Sequence, residues 1–173
     1  MNETLKTLRD RRSVRKYQAR QISDTELNAI LEAGLWAASG HGWQTQMMVV
    51  IQDRETLEKL EKANAEIQGN SEGHPFYGAP TDVIVLADAE SPNWLQDGSL
   101  TMGNLMNAAA SLGVASCWIN RAMQYFDTEE GKALMKEWGV PETYRGVGHC
   151  ILGYADGEWP APKPRKEGRI LRP

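Results

Sequence analysis

At 173 residues, 41% hydrophobic and 24% charged, the chain is long enough to bury one substantial core and too balanced for disorder or a fibrous repeat. Its two cysteines, Cys117 and Cys150, sit in apolar surroundings, which argues against a disulfide framework and for a reducing compartment. The net charge of −4 is uneven: residues 1–20 carry seven Lys/Arg against two acids and residues 163–173 five against one, which leaves the body strongly acidic. A nucleic-acid duplex would be repelled by most of that surface, so no nucleic-acid partner is expected, and two local basic patches suit a small anion better. On charge alone, two solvated ends are the simpler reading. No apolar run is long enough to span a membrane, and the charged start MNETLKTLRDRRSVR lacks a secretory apolar region. No membrane partner and a cytoplasmic location are therefore expected.

Residues 3–9 read as a short helix with Leu5 and Leu8 on one side. A stronger helix starts at Ser23, where Ser23 and Glu26 form a capping box and Ile22 can staple onto Leu27. Its apolar positions Leu27, Ile30, Leu31, Gly34, Leu35 and Ala38 recur at steps of three and four, and Gly40 is a natural stop. Met47–Ile51 is a short buried strand. Asp53 caps an amphipathic helix with Leu57, Leu60 and Ala63 inward. Residues 68–80, rich in Gly and Pro, form a loop, and 82–87 form a second strand. Residues 98–112 are small and apolar almost all round, the pattern of a helix buried against a sheet or another subunit. Residues 114–119 are a third strand, a helix follows from Asp127 to about Gly139, and 147–154 are a fourth strand. The proline-rich tail from Glu158 must run extended over a surface. Strands alternating with helices imply an α/β or α+β sandwich around one mixed sheet. No repeat or linker interrupts it, so one domain over residues 1–173 is expected.

Several chemistries lack their residues. His41, His74 and His149 lack metal-ligand spacing and neither cysteine belongs to a C-x-x-C pair, so no metal is expected. There is no nucleophile elbow, no phosphate loop of the G-x-x-x-x-G-K-[ST] type, and no G-x-G-x-x-G between strand and helix. Three features remain. In an extended Arg11-Arg12-Ser13-Val14-Arg15, residues Arg11, Ser13 and Arg15 point one way and Arg12 the other, and guanidinium forks around a hydroxyl can grip a phosphate dianion. The loop Ser39-Gly40-His41-Gly42-Trp43-Gln44 after a helix offers backbone and amide groups to a flat polar heterocycle, although glycine-containing loops are common. Ser116-Cys117-Trp118-Ile119 ends a strand, where α/β ligands gather. Trp118 there is as readily a core residue, and Cys117 reads as a small buried hydrophobe because no basic residue adjoins it in sequence.

In order and spacing these features resemble the FMN-dependent nitroreductase family over almost the whole chain. Arg11-Arg12-Ser13-Val14-Arg15-Lys16-Tyr17 is similar to its R-R-S-x-R-x-[FY] opening, and Ala38 to Gln44 to its A-P-S-x-x-N-x-Q loop. Phe76 to Pro80 resembles its A-P segment, Asn104 to Ala109 its N-L-x-L-A-A helix, and Leu112 to Ile119 its L-G-x-x-S-C-W strand. Gly153-Tyr154 and Pro164-Arg165-Lys166 match the closing G-Y and P-R-K. The resemblance implies an α+β sandwich working as an intertwined homodimer, with two FMN sites at the interface. It places Arg11, Ser13 and Arg15 on the FMN phosphate and pyrimidine edge with Arg12 nearby, and Arg165 and Lys166 on the phosphate from the tail. Ser39, Gly40, His41, Gly42 and Gln44 would reach the flavin from the partner chain, while Cys117, Trp118 and Ile119 would line the ring through backbone and side chain. His41, Trp43 and Phe76 would border the substrate.

The implied activity passes a hydride from NADH or NADPH through flavin N5 to a nitroaromatic, quinone or similar small acceptor in a ping-pong cycle. The cofactor would carry the chemistry, and no catalytic side chain is required. Ala38 replaces the family's usual Pro, Gly42 its Asn, and Thr45-Gln46 its Pro-Trp. Pyrimidine-edge recognition would then fall to backbone groups or Gln44. The short chain leaves little room for a helical excursion over the site, so an open pocket is expected. The alternative is an FMN storage or delivery protein with little turnover. A colourless domain binding polyanions through its basic ends is a second.

Overall fold

The computed structural model describes residues 1–173. The helices are α1 (Glu3–Asp10), α2 (Asp24–Leu35), α3 (Arg54–Ile67), α4 (Trp94–Ser111), α5 (Ala122–Phe126) and α6 (Glu129–Glu137). The strands are β1 (Gln46–Ile51), β2 (Thr81–Asp88), β3 (Ala115–Ile119) and β4 (Tyr144–Gly153), in sheet order β1-β2-β4-β3. No helix is long and apolar enough to cross a membrane.

The sheet carries a helical layer on each face because β2 and β4 alternate two apolar sets. Ile84, Leu86 and Ile151 face Leu60 of α3, Phe126 of α5 and Met135 of α6. Val83, Val85, Cys150 and Leu152 face Leu27 and Ile30 of α2 and Met102, Leu105 and Ala109 of α4. Period-two alternation on strands buried from both sides produces this division. The Ser23–Glu26 capping box forms on α2, and Asp53 caps α3 by accepting from Thr56 N at 2.8 Å. Ile22 and Leu27 are buried in the same cluster, as a hydrophobic staple requires.

Four expectations need correction. All three strand pairings are antiparallel rather than mixed; the parallel element is a single bridge between Ser13 and Ser116. Neighbouring strands are joined through helices, β1 to β2 by α3 and β3 to β4 by α5 and α6, and run in opposite directions, so no strand pair is a parallel crossover. Helix α2 stops at Leu35 instead of running to Gly40: Ala37 N turns to Gly34 O at 3.2 Å, three residues back, and Gly40 N donates to a carboxylate of α4. Helix α4 begins at Trp94, four residues before the expected start at Gly98; within the single chain it is buried on one face, with Leu95 and Leu100 exposed. Asp127 closes the short helix α5, which sequence periodicity did not reveal, and Thr128 caps α6 instead. Five residues are too few for a helical period to register. They are held in place by packing against β4, where Gly146 lets the Ala122 backbone approach: a Cβ on Gly146 would lie 2.5 Å from the Ala122 carbonyl carbon.

Candidate functional site

The basic N-terminal motif lies along the edge of β3. Val14 N donates to Ser116 O at 3.0 Å, and Gln18 N to Tyr154 O at 2.9 Å. Val14 and Tyr17 are buried, and the Tyr17 hydroxyl donates to Val14 O at 2.9 Å. Anchoring Val14 inward turns its neighbours Ser13 and Arg15 away from the core. This arrangement joins two of the sequence features, since burial pushes the Cys117 thiol pKa up while Arg15, Ser13 and Arg11 pull against it.

The arginines have no acidic partners. The chain's ion pairs leave Arg11, Arg12, Arg15, Arg165 and Lys166 without a carboxylate. Arg12 Nη1 folds back onto Arg9 O at 2.8 Å and Arg11 O at 2.7 Å, closing the C-terminal end of α1. Arg11 Nη1 and Arg12 Nε are buried with no hydrogen-bond partner. Buried donors without acceptors are rare, and guanidinium donors more so. An anion bearing several oxygens fits them; the phosphate of a flavin mononucleotide has that donor-matching chemistry.

The tail returns to the same end of the molecule. Trp159 is half-buried and, with Glu3, Lys6, Asp10, Arg11 and the end of α4, borders a cavity of about 290 Å³. Beyond it Arg165 and Arg12 line one cleft of about 740 Å³, with Lys6, Arg9, Lys163 and the carboxylate of Asp10. Lys166 is exposed beside them in sequence. Trp159 escaped the sequence reading; a single large aromatic in a proline-rich tail was its available signal.

Residues 39–45 form a separate, tightly wound loop. Gly40–Gly42 make one 3₁₀ turn, and His41, Gly42 and Gln44 all have left-handed backbone, with φ of 55°, 69° and 51°. Ser39 Oγ accepts from Gln44 N at 3.0 Å across the turn. The buried carboxylate of Asp97 accepts from Gly40 N at 2.9 Å and from Thr45 Oγ1 at 3.0 Å. The His41 and Trp43 rings stack at 4.9 Å, and Trp43 is 56% exposed. No hydrogen bond or ion pair ties this loop to Arg11–Arg15 within the chain.

Other sequence candidates fall elsewhere. Phe76 is 2% exposed and packs on His149 at 5.1 Å, so it belongs to the core and not to a wall shared with His41 and Trp43. Its apolar ring is held there because Glu61 accepts from Phe76 N at 2.8 Å. Cys117 and Ile119 are likewise buried, so they have only backbone to offer a ring. Trp118, pointing to the opposite face, is half-buried against Gly148, and its Nε1 has no partner. No three His, Cys, Asp or Glu side chains cluster as a metal centre would need.

Burial raises the thiol pKa of Cys117 and of Cys150 and the phenol pKa of Tyr17. Native protein should therefore react negligibly with Ellman's reagent at pH 8 and release two equivalents on denaturation. The unfolded chain would ionise these groups first, so stability should fall as pH rises past about 8.5, where unfolded thiols lose their protons. Urea midpoints measured between pH 7 and 10 check the sign.

A family model described as "Nitroreductase family" matches residues 8–154. An Archaeoglobus fulgidus protein, carrying a provisional NADH dehydrogenase/NAD(P)H nitroreductase name, is 34% identical over 163 residues, covering 91% of this chain and 88% of the relative. Among solved structures, a Bacteroides fragilis nitroreductase with bound FMN is 37% identical with a TM-score of 0.91, covering 99% of each chain. A Desulfitobacterium hafniense nitroreductase with bound FMN is 28% identical, TM-score 0.89, over 100% of each.

Proposed function

Because this chain belongs to the nitroreductase family, we propose that it is an FMN-dependent oxidoreductase, drawing on NADH or NADPH and reducing a nitroaromatic, quinone or similar small acceptor by a ping-pong cycle. The observation that carries this reading is the pair of buried, unpartnered guanidinium nitrogens on Arg11 and Arg12, neither of which is ion-paired even though Asp10 lies nearby, paired instead with Lys6. The chemistry supplied by bound FMN is two-electron transfer at N5, hydride in from the nicotinamide and out to the acceptor.

The protein's part is binding and electrostatics. Arg11, assisted by Arg12 and by Arg165 and Lys166 of the tail, holds the phosphate. Arg15 and Ser13, beside the end of β3, face the pyrimidine edge, where a guanidinium stabilises negative charge as the ring is reduced. The backbone of Cys117 and Ile119 and the side chain of Trp118 border the ring. Ser39, Gly40, His41, Gly42 and Gln44 close the site from a second copy, and the exposed His41–Trp43 stack borders the acceptor.

A homodimer is part of the proposal. Helix α1 buries no residue in its own chain, and Leu5 and Leu8 are each 54% exposed. Leu35, Trp36, Leu100 and Leu112 are exposed as well. An amphipathic helix with an uncovered apolar side, beside further exposed leucines, marks an interaction surface. A soluble cytoplasmic dimer built from one repeated domain is the simplest assembly to cover it.

The test is direct. Purified protein reconstituted with FMN should hold one flavin per chain, run at twice the chain mass in light scattering, and bleach its flavin band when NADH or NADPH is added without oxygen. Adding a nitroaromatic or quinone should restore the band. Flavin retention without bleaching by either nicotinamide would select the storage reading instead, and colourless protein would reject both.

A further inference from the structure

We infer that Asp97 is a positioning residue, whose carboxylate holds the loop 39–45 in the shape the flavin site requires. This rests on the reading that the loop faces the flavin.

Asp97 is the sole charged residue between Trp94 and Leu112, on the otherwise uncharged helix α4, yet it is only 2% exposed. A carboxylate is costly to bury unless its oxygens are satisfied. Here each oxygen is engaged by a different flank of the loop: Oδ1 by Gly40 N at 2.9 Å and Oδ2 by Thr45 Oγ1 at 3.0 Å. These partners lie 57 and 52 residues away in the chain, so the carboxylate is a tertiary staple and not a local cap.

What it spans is strained. Between the two attachment points, His41 and Gln44 adopt left-handed backbone that side-chain-bearing residues avoid, with Gly42 beside them. Such conformations persist where the surroundings over-determine them. Outside the helix, the Thr45 end is also held by β2, where Asp88 N donates to Thr45 O at 3.0 Å; the other restraints come from the same helix or from within the turn. Asn93 packs so closely on Gly40 that a Cβ there would lie 2.5 Å from its Nδ2, and Asn104 Nδ2 donates to Ala33 O at 2.8 Å, fixing the end of α2 that leads in. Helix α4 thus acts as a rail, and Asp97 is its one attachment to both ends of the turn. Released from it, the turn would relax toward ordinary backbone and carry the His41–Trp43 stack with it.

The experiment compares D97A, D97N and T45V in the full-length protein, reading chymotrypsin cleavage after Trp43 by mass spectrometry without flavin, and FMN affinity by fluorescence quenching. D97A should cleave at Trp43 at least 10-fold faster and bind FMN at least 10-fold more weakly. D97N should stay within about threefold of the parent in both, because its carbonyl accepts from Gly40 N and its amide donates to the Thr45 hydroxyl. T45V, which keeps shape and removes one attachment, should fall between and remains informative if D97A does not fold. Unchanged cleavage in D97A and T45V would overturn the inference and leave the flavin reading intact. D97N behaving like D97A would also overturn it, since charge and not hydrogen-bond geometry would then be at work. Faster cleavage with unchanged FMN affinity would overturn it together with the loop's assignment to the flavin.

Discussion

Replacing Arg11 and Arg15 together with Ala should strip the protein of FMN. Hydrogen bonds from a guanidinium to an anion contribute about 1.5–3 kcal/mol each, so losing two weakens binding by about 3–6 kcal/mol, or roughly 10²- to 10⁴-fold in Kd. The fold should not suffer. Neither arginine makes an ion pair, Arg11 Nη1 is buried without any partner, and Arg15 Nη1 reaches Ser13 O only at 3.5 Å. The flavin-free variant should therefore melt close to the flavin-free parent, while the rise in Tm that FMN confers on the parent disappears. The double Lys variant keeps the charge and loses the forked geometry, so its affinity should lie in between. Fluorescence titration and thermal melts with and without FMN check each point. A double Ala variant that purifies fully loaded would remove Arg11 and Arg15 from the cofactor site.

The largest effect on stability should come from the sheet's centre. His149 Nδ1 lies 2.7 Å from Asp82 Oδ2, with side chains 2% and 0% exposed. Phe76 and Phe126 pack against the imidazole at 5.1 and 6.2 Å, and Asp82 Oδ1 has no partner at all. With one oxygen already unsatisfied, the carboxylate depends on His149. Substituting H149A should cost about 3–5 kcal/mol, because it strands a buried acid. For a chain of this length that is a fall in Tm of about 6–20 °C. The double variant D82V/H149L removes both polar groups and should be more stable than H149A alone. Urea denaturation of the two singles and the double measures that coupling. An H149A protein melting within about 2 °C of the parent would show the pair to be dispensable.

The site was legible where its residues are contiguous. The spacing of Arg11 to Arg15 suits an anion as well as a solvated loop, and the structure sets that segment beside Cys117, more than a hundred residues further along the chain. The tail's Arg165 also reaches a cleft that Arg12 lines. Side-chain direction was less legible. The resemblance implies that Phe76 borders the substrate, yet 2% exposure puts it in the core. Asp97 lay just outside the apolar run that marks α4, and nothing near it in sequence indicates that Gly40 and Thr45 are its partners.

Local patterns alone determined the four strands, the starts of α2 and α3 and their caps Ser23 and Asp53, because periodicity and capping chemistry act within a few residues. The basic character of both ends was equally a property of sequence. Tertiary structure alone decided that all four strands pair antiparallel, that β4 bulges between Gly146 and Gly148 opposite Val85 and Leu86, and that α5 exists. It also decided that α4 buries one face and leaves the other open. The reason is that strand pairing, helix docking and a buried carboxylate's choice of partner are set by how whole surfaces fit together, and residues 50 or more positions apart carry no local mark of that fit.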